Sequence, residues 1–191
     1  MRSDKKNLLY FLTGRIDNYI GRTLEIGFNT TCAEVLASRF NANHEVLLEK
    51  DTLKSVDKLY NDLKAHIGDK SSKFSFLLDD ITSLPKNGFR EKLIVFYDGV
   101  SNKVDVDTLT KCINDLKCEY VVVIDEKDAT VFSEFVKKIT QDGFIEAAHG
   151  VIRKKPAKFA VCPERGYLEG YLFISKKGTK VDGYEKEEFE G

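Results

Sequence analysis

Charge of one sign is scarce in this chain of 191 residues: 30 Lys and Arg stand against 31 Asp and Glu, a formal net charge of −1. A protein that grips nucleic acid over its whole surface carries a large positive excess, so that class is set aside and only a local basic patch stays open. Long apolar runs are missing too. None approaches the ~20 residues needed to cross a bilayer, and no membrane partner is expected. The opening Met1-Arg2-Ser3-Asp4-Lys5-Lys6 is charged and leads into an amphipathic stretch, without the apolar core or small-residue cleavage site of a signal peptide. The cysteines Cys32, Cys112, Cys118 and Cys162 form no Cys-x-x-Cys pair, and no His follows at zinc-finger spacing. They read as reduced structural thiols in a cytoplasmic setting. Two nucleotide motifs are absent: Gly-x-Gly-x-x-Gly after the first strand, which NAD binding needs, and a Gly-Lys-Ser or Gly-Lys-Thr phosphate loop. There are no internal repeats.

What is present is an alternation of two periodicities. Residues 4–19 place Leu8, Leu9, Phe11, Leu12, Ile16, Tyr19 and the adjoining Ile20 at helical spacing, with Ser3 or Asp4 as a candidate cap. Strands are expected at 23–27, 45–49, 74–78, 92–97 and 120–124. Helices are expected at 30–40, 52–67, 106–116 and 130–140. Thr30 or Thr31 could cap the second helix, with Glu34 completing a capping box for Thr31. The fourth strand is apolar from Leu93 to Phe96 and should be buried on both faces.

Five strands alternating with helices predict an α/β fold, a Rossmann-like three-layer sandwich around a mostly parallel sheet. From 144 the pattern changes to short β-prone runs (Phe144-Ile145, Val151-Ile152, 159–161, Tyr167-Leu168, 171–174), read as antiparallel strands at the C-terminal end, with turns at His149-Gly150, 163–166 and 176–178. One domain over 1–191 is expected: a leading helix (1–20), an α/β core (21–143), a β-rich end (144–180) and an acidic, frayed tail (181–191).

Open α/β sheets bind ligands beyond the carboxyl ends of their strands. Those ends here carry Glu25-x-Gly27-Phe28-Asn29, Glu49-Lys50-Asp51, Asp79-Asp80, Asp98-Gly99 and Asp125-Glu126. Any one acid is an ordinary polar cap; their coincidence on one rim is the signal. Leu24-Glu25-Ile26-Gly27, the acid Glu49 some twenty residues on, and Asp79-Asp80 after strand three resemble the class I S-adenosylmethionine-dependent methyltransferases, over the whole order of elements. The resemblance implies S-adenosylmethionine as cofactor, with Glu25, Gly27 and Asn29 at its methionine end. Glu49 (or Asp51, if the strand runs longer) would take the ribose hydroxyls, and Asp79 and Asp80 would lie by the adenine. A carboxylate accepts two hydrogen bonds from a cis-diol, and glycine lets backbone come close. Where the family has further glycines this chain has Asn29 and Thr31; Asn29 is expected to supply a left-handed backbone, and Thr31 to cap the helix.

The segments 95–99 and 123–126 further resemble the metal-dependent O-methyltransferases. That likeness implies Asp98 and Asp125 as catalytic acids and Asp98, Asp125 and Glu126 as oxygen ligands to a divalent metal such as Mg²⁺. Strand four lacks the Asn-Pro-Pro-Tyr motif of base N-methylation, which favours a small-molecule hydroxyl over RNA as acceptor. Of the three histidines, His44 precedes strand two on the far rim and His66 ends a helix. His149 is expected in a turn, either reaching the site or standing as a solvated turn residue. Arg153, Lys154, Lys155, Lys158, Lys176, Lys177 and Lys180, interleaved with Phe159, Tyr167, Tyr171 and Phe173, could form a phosphate-binding patch. The other reading of the chain is therefore a catalytically silent scaffold that binds a protein or RNA partner or forms a homodimer through its β-rich end.

Overall fold

The computed structural model describes residues 2–17, 19, 21–49, 55–83, 93–100, 103–126, 130–152, 168–176 and 187–190. Asp51, Pro85, Asn87, Gly88 and Cys162, and the basic residues Arg153, Lys154, Lys155, Lys158, Lys177 and Lys180, lie outside them. In chain order the elements are α1 (Arg2–Thr13), β1 (Arg22–Ile26), α2 (Thr30–Arg39), β2 (Asn43–Leu48), α3 (Val56–Ile67) with a 3₁₀ turn (Gly68–Lys73), β3 (Phe74–Leu78), β4 (Leu93–Asp98), α4 (Val106–Leu116), β5 (Tyr120–Glu126), α5 (Thr130–Gln141), β6 (Phe144–Ile152), β7 (Leu168–Ser175) and β8 (Glu187–Glu190).

The eight strands among the described residues form one sheet in the order β3-β2-β1-β4-β5-β7-β6-β8. The first five run parallel, and β7 lies antiparallel to both β5 and β6. This is the expected mostly parallel sheet with antiparallel strands at its C-terminal end. Period-two alternation splits each central strand between two cores. Ile94 and Phe96 of β4 face a core with Leu8, Leu9 and Leu12 of α1, Val35 and Leu36 of α2, and Leu59 and Leu63 of α3. Val95 and Tyr97 face the other, with Leu109 and Ile113 of α4 and Phe132 and Phe135 of α5. Helices thus cover both sides of β4, and the strand is buried on both faces as expected.

Three differences from the sequence expectation have local causes. Helix α1 stops at Thr13, not 19: the Gly14 N–H makes the last helical bond, to the Tyr10 carbonyl (3.0 Å), and the Ile16 N–H then turns to the Thr13 carbonyl (3.0 Å). His149-Gly150 is not a turn but the middle of the nine-residue strand β6. Its glycine serves a different need, because a Cβ on Gly150 would lie 2.4 Å from Leu8 Cδ1, and one on the paired Gly170 would lie 2.8 Å from Leu12 Cδ1. The two glycines cut a notch in the sheet into which α1 settles. Finally, residues 187–190 of the expected frayed tail form β8, parallel to β6. Phe189 stacks on Phe11 with ring centroids 5.0 Å apart, and Glu187 pairs with Arg15 at 2.7 Å.

Candidate functional site

The chain builds outward from β1 through β2 to the edge strand β3, then returns to the other flank of β1 to lay down β4 and β5. Strand order therefore reverses between β1 and β4, where open α/β sheets form a ligand crevice beyond their carboxyl ends.

At the tip of β1 the Gly27 N–H donates to the Leu47 carbonyl (2.9 Å), extending the ladder by one residue. The backbone then turns with Gly27 at φ +81°, a conformation that favours glycine. Phe28 packs edge-on against Phe76 of β3, centroids 5.4 Å apart. Asn29 does not take the left-handed conformation expected of it: its φ is −139°, ordinary extended backbone. It caps α2 instead, its Oδ1 accepting the N–H groups of Thr31 (2.9 Å) and Cys32 (3.3 Å). Thr30 and Thr31 are displaced from that role, and Glu34 binds the Lys6 ammonium at 2.6 Å rather than closing a capping box.

Glu25 points from β1 toward the α1–α2 side and is 1% exposed. Its Oε1 accepts the Asn29 N–H at 2.9 Å, fixing the loop above it. Its Oε2 is buried with no nitrogen or oxygen partner among the described residues, and the carboxyl's remaining neighbour is the Cys32 thiol, a weak donor. Burial pushes this carboxyl well above the usual range, the nearby Asp98 charge adds to the shift, and the Asn29 amide opposes it. The Cys32 thiol beside it is likewise raised, first by burial and then by Glu25 and Asp98.

Asp98 ends β4 on the same side. Its Oδ2 binds the Lys5 ammonium of α1 at 2.6 Å and accepts from Asn29 Nδ2 at 3.3 Å, while its Oδ1 accepts the Val100 N–H at 3.0 Å. It does not cap α4; Asp105 does. Lys5, Asp98, Asn29 and Glu25 thus form one connected, largely buried polar set from three separate stretches of chain. Lys5 was not singled out from sequence, although a signal exists: it lies three, four and seven positions before Leu8, Leu9 and Leu12, a lysine inside an apolar stripe.

Asp125 lies elsewhere. Asp98 is in register with Ile124, so Asp125, one residue on, leaves β5 on the opposite face. Its carboxylate rests over Gly99, where a Cβ would come within 2.2 Å of Oδ2. Its Oδ1 accepts the Glu126 N–H at 2.7 Å and lies 3.4 Å from the Lys103 ammonium. Glu126 is exposed. The three acids expected to share a divalent metal are therefore not brought together, and among the described residues no group of three or more His, Cys, Asp or Glu is arranged to hold a metal ion. At the other end of the rim Glu49 and Asp80 are exposed and Asp79 half-buried. Asp79 and Asp80 shape the turn after β3, accepting the N–H groups of Asp80 and Thr82.

The histidines are structural in their contacts. His44 belongs to β2 rather than preceding it: its Nδ1 meets Thr23 Oγ1 at 2.6 Å, and its ring packs on Phe74. Burial lowers its pKa to about 4. His149 stacks on Tyr171, and both bond Glu169 Oε1 at 2.8 Å.

Strand order, the reversal at β1/β4 and an antiparallel β7 between β5 and β6 define the fold of the class I S-adenosylmethionine-dependent methyltransferases. Solved structures of that class superpose on most of the chain at low identity. A Pyrococcus horikoshii protein provisionally assigned as an RNA methyltransferase matches with a TM-score of 0.62 and 14% identity, over 91% of this chain and 82% of that one. Magnesium protoporphyrin IX methyltransferase from Synechocystis PCC 6803, with bound S-adenosylmethionine, gives 0.62 and 12%, over 91% and 79%. A glycopeptide N-methyltransferase complexed with the same cofactor gives 0.62 and 8%, over 89% and 93%. No protein-family model matches the chain, and no curated protein does.

Proposed function

We infer that the protein is an S-adenosylmethionine-dependent methyltransferase whose acceptor is a hydroxyl on a small molecule. The observation that carries the reading is Glu25: a carboxyl 1% exposed at the strand-order reversal, with one oxygen holding the loop through Asn29 and the other met by no nitrogen or oxygen donor among the described residues, the weak Cys32 thiol being the carboxyl's remaining neighbour. A buried polar atom left so is costly unless a ligand completes it. S-adenosylmethionine supplies an electrophilic methyl group on a sulfonium sulfur. The chain's own contribution is to bind and orient. Gly27 gives the backbone close approach, Glu25 and Asp98 wall the end of the crevice that suits an ammonium, and Glu49 is the acid for a ribose diol. Asp79 and Asp80 border the adenine. Asp125, buried beside the tip of β4, is the group assigned to accept a proton from the acceptor hydroxyl. No step here calls on a metal.

Calorimetric titration with S-adenosylhomocysteine tests the reading. The expected result is saturable binding, weakened at least tenfold by Glu49→Ala with the unfolding temperature unchanged. One observation favours a second reading: Lys5 already satisfies Asp98, as it would in a silent scaffold. Absence of heat at millimolar ligand would decide for that alternative.

A further inference from the structure

Lys5 brings a full positive charge into the part of the crevice that the cofactor reading reserves for an ammonium. The side chains of Lys5 and Asp98 are each 8% exposed, and the 2.6 Å contact joins residues 93 apart in sequence. Next to Asp98 lies Asn29, and behind Asn29 the buried Glu25. The helix that carries Lys5 is held independently, by Leu8 and Leu12 in the notch over Gly150 and Gly170. The lysine's flexible four-carbon stem can therefore leave Asp98 while α1 stays in place.

We propose that Lys5 is a displaceable internal counter-ion: it competes with the cofactor's ammonium for Asp98, so that the crevice accepts cofactor only when Lys5 has swung away. The proposal rests on the cofactor reading above. A tethered ammonium acts as an intramolecular ligand at an effective concentration of roughly millimolar or more. Affinity for a free ligand is reduced by the fraction of molecules in which the tethered one is away. Lys5→Met removes the competitor and leaves Asp98 buried without its cation, a defect that an incoming ammonium repairs. Both effects tighten binding.

The test titrates the parent protein and Lys5→Met with S-adenosylhomocysteine and with 5′-methylthioadenosine, which shares the nucleoside but has no ammonium. Lys5→Met should bind S-adenosylhomocysteine at least tenfold more tightly and methylthioadenosine equally. Unchanged or weaker S-adenosylhomocysteine binding overturns the competition and leaves the cofactor reading standing, as does equal tightening for both ligands. No heat from either ligand in either protein overturns the cofactor reading and the competition with it. Should Lys5→Met fail to fold, amine acetylation of the unaltered chain gives the same decision. Lys5 should label at least tenfold more slowly than Lys111, whose side chain is 75% exposed, and should speed up at least tenfold at saturating S-adenosylhomocysteine. A Lys5 labelling rate that S-adenosylhomocysteine does not change overturns the proposal.

Discussion

The tips of β1 and β4 and the tips of β2 and β3 carry the same kind of residue in sequence, an acid at the end of a parallel strand. In the fold they are opposites. Glu25 and Asp98 are buried under α1 and α2 and tied to Lys5 and Asn29, while Glu49 and Asp80 face solvent and Asp79 shapes a turn. Position in the sheet makes the difference. The central strands lie beneath helices, whereas β3 has a single neighbour among the described strands. A buried carboxylate must be matched by a cation, a donor or a proton, and an exposed one is matched by water. Strand-tip acids are therefore not equivalent evidence of a site; the covered ones need a match inside the fold or from a ligand.

Substitutions separate the two groups. The largest effect is expected for Asp98→Ala, which removes the buried acceptor shared by the Lys5 ammonium, the Asn29 amide and the Val100 N–H and should cost about 3–5 kcal/mol. Asp80→Ala should stay within about 0.5 kcal/mol of the parent, as exposed changes do. Urea unfolding of the two variants decides, and similar small losses would erase the distinction between the covered and open tips. Next is a pH effect at the opposite end of β2. His44 is neutral in the fold down to about pH 4, whereas the unfolded chain binds a proton near 6.5. Stability is therefore lost as pH falls from 6.5 to about 4, by about 3 kcal/mol, and His44→Asn should remove that slope from urea midpoints. Glu25 has the opposite sign. Its folded carboxyl holds its proton well above the ordinary value of 4.5, so its contribution is full below that value and is lost as pH rises toward the folded one. Thermal unfolding of Glu25→Gln should thus show a gain over the parent that grows from pH 5 to pH 8; a flat difference would mean that Glu25 is ionised and matched like Asp98. Smallest is Gly99→Ala, which pushes a methyl into the Asp125 carboxylate and should cost about 1–2 kcal/mol in the same urea assay.

Much of the architecture could be read from periodicity. Helix α4 and strand β3 fall at 106–116 and 74–78 as expected, because apolar spacing there is regular and bounded by polar residues. Local pattern failed where a distant partner decided the outcome. Gly150 looks like a turn residue, yet it is a strand residue whose missing side chain makes room for Leu8. Glu187–Glu190 looks too acidic to order, yet Phe189 finds Phe11 and the backbone finds β6. At the site, the acids at all five strand ends were visible in sequence, as was the positive-φ glycine. Alternation along β4 and β5 encodes which face each acid occupies, and it parts Asp98 from Asp125. Asn29 was expected to replace a glycine by backbone freedom, but its side chain was worth more as a cap to α2.

The seat of α1 sets the order in which this molecule can be completed. The helix is translated before β6 and β7, whose Gly150 and Gly170 form the trough in which it rests. Until then Lys5 has no fixed approach to Asp98, and the β1 and β4 ends stand without their lid. The nascent chain therefore carries α1 without its full cover until β6 and β7 are made, and the β1 and β4 ends are closed over only as those strands zip into place.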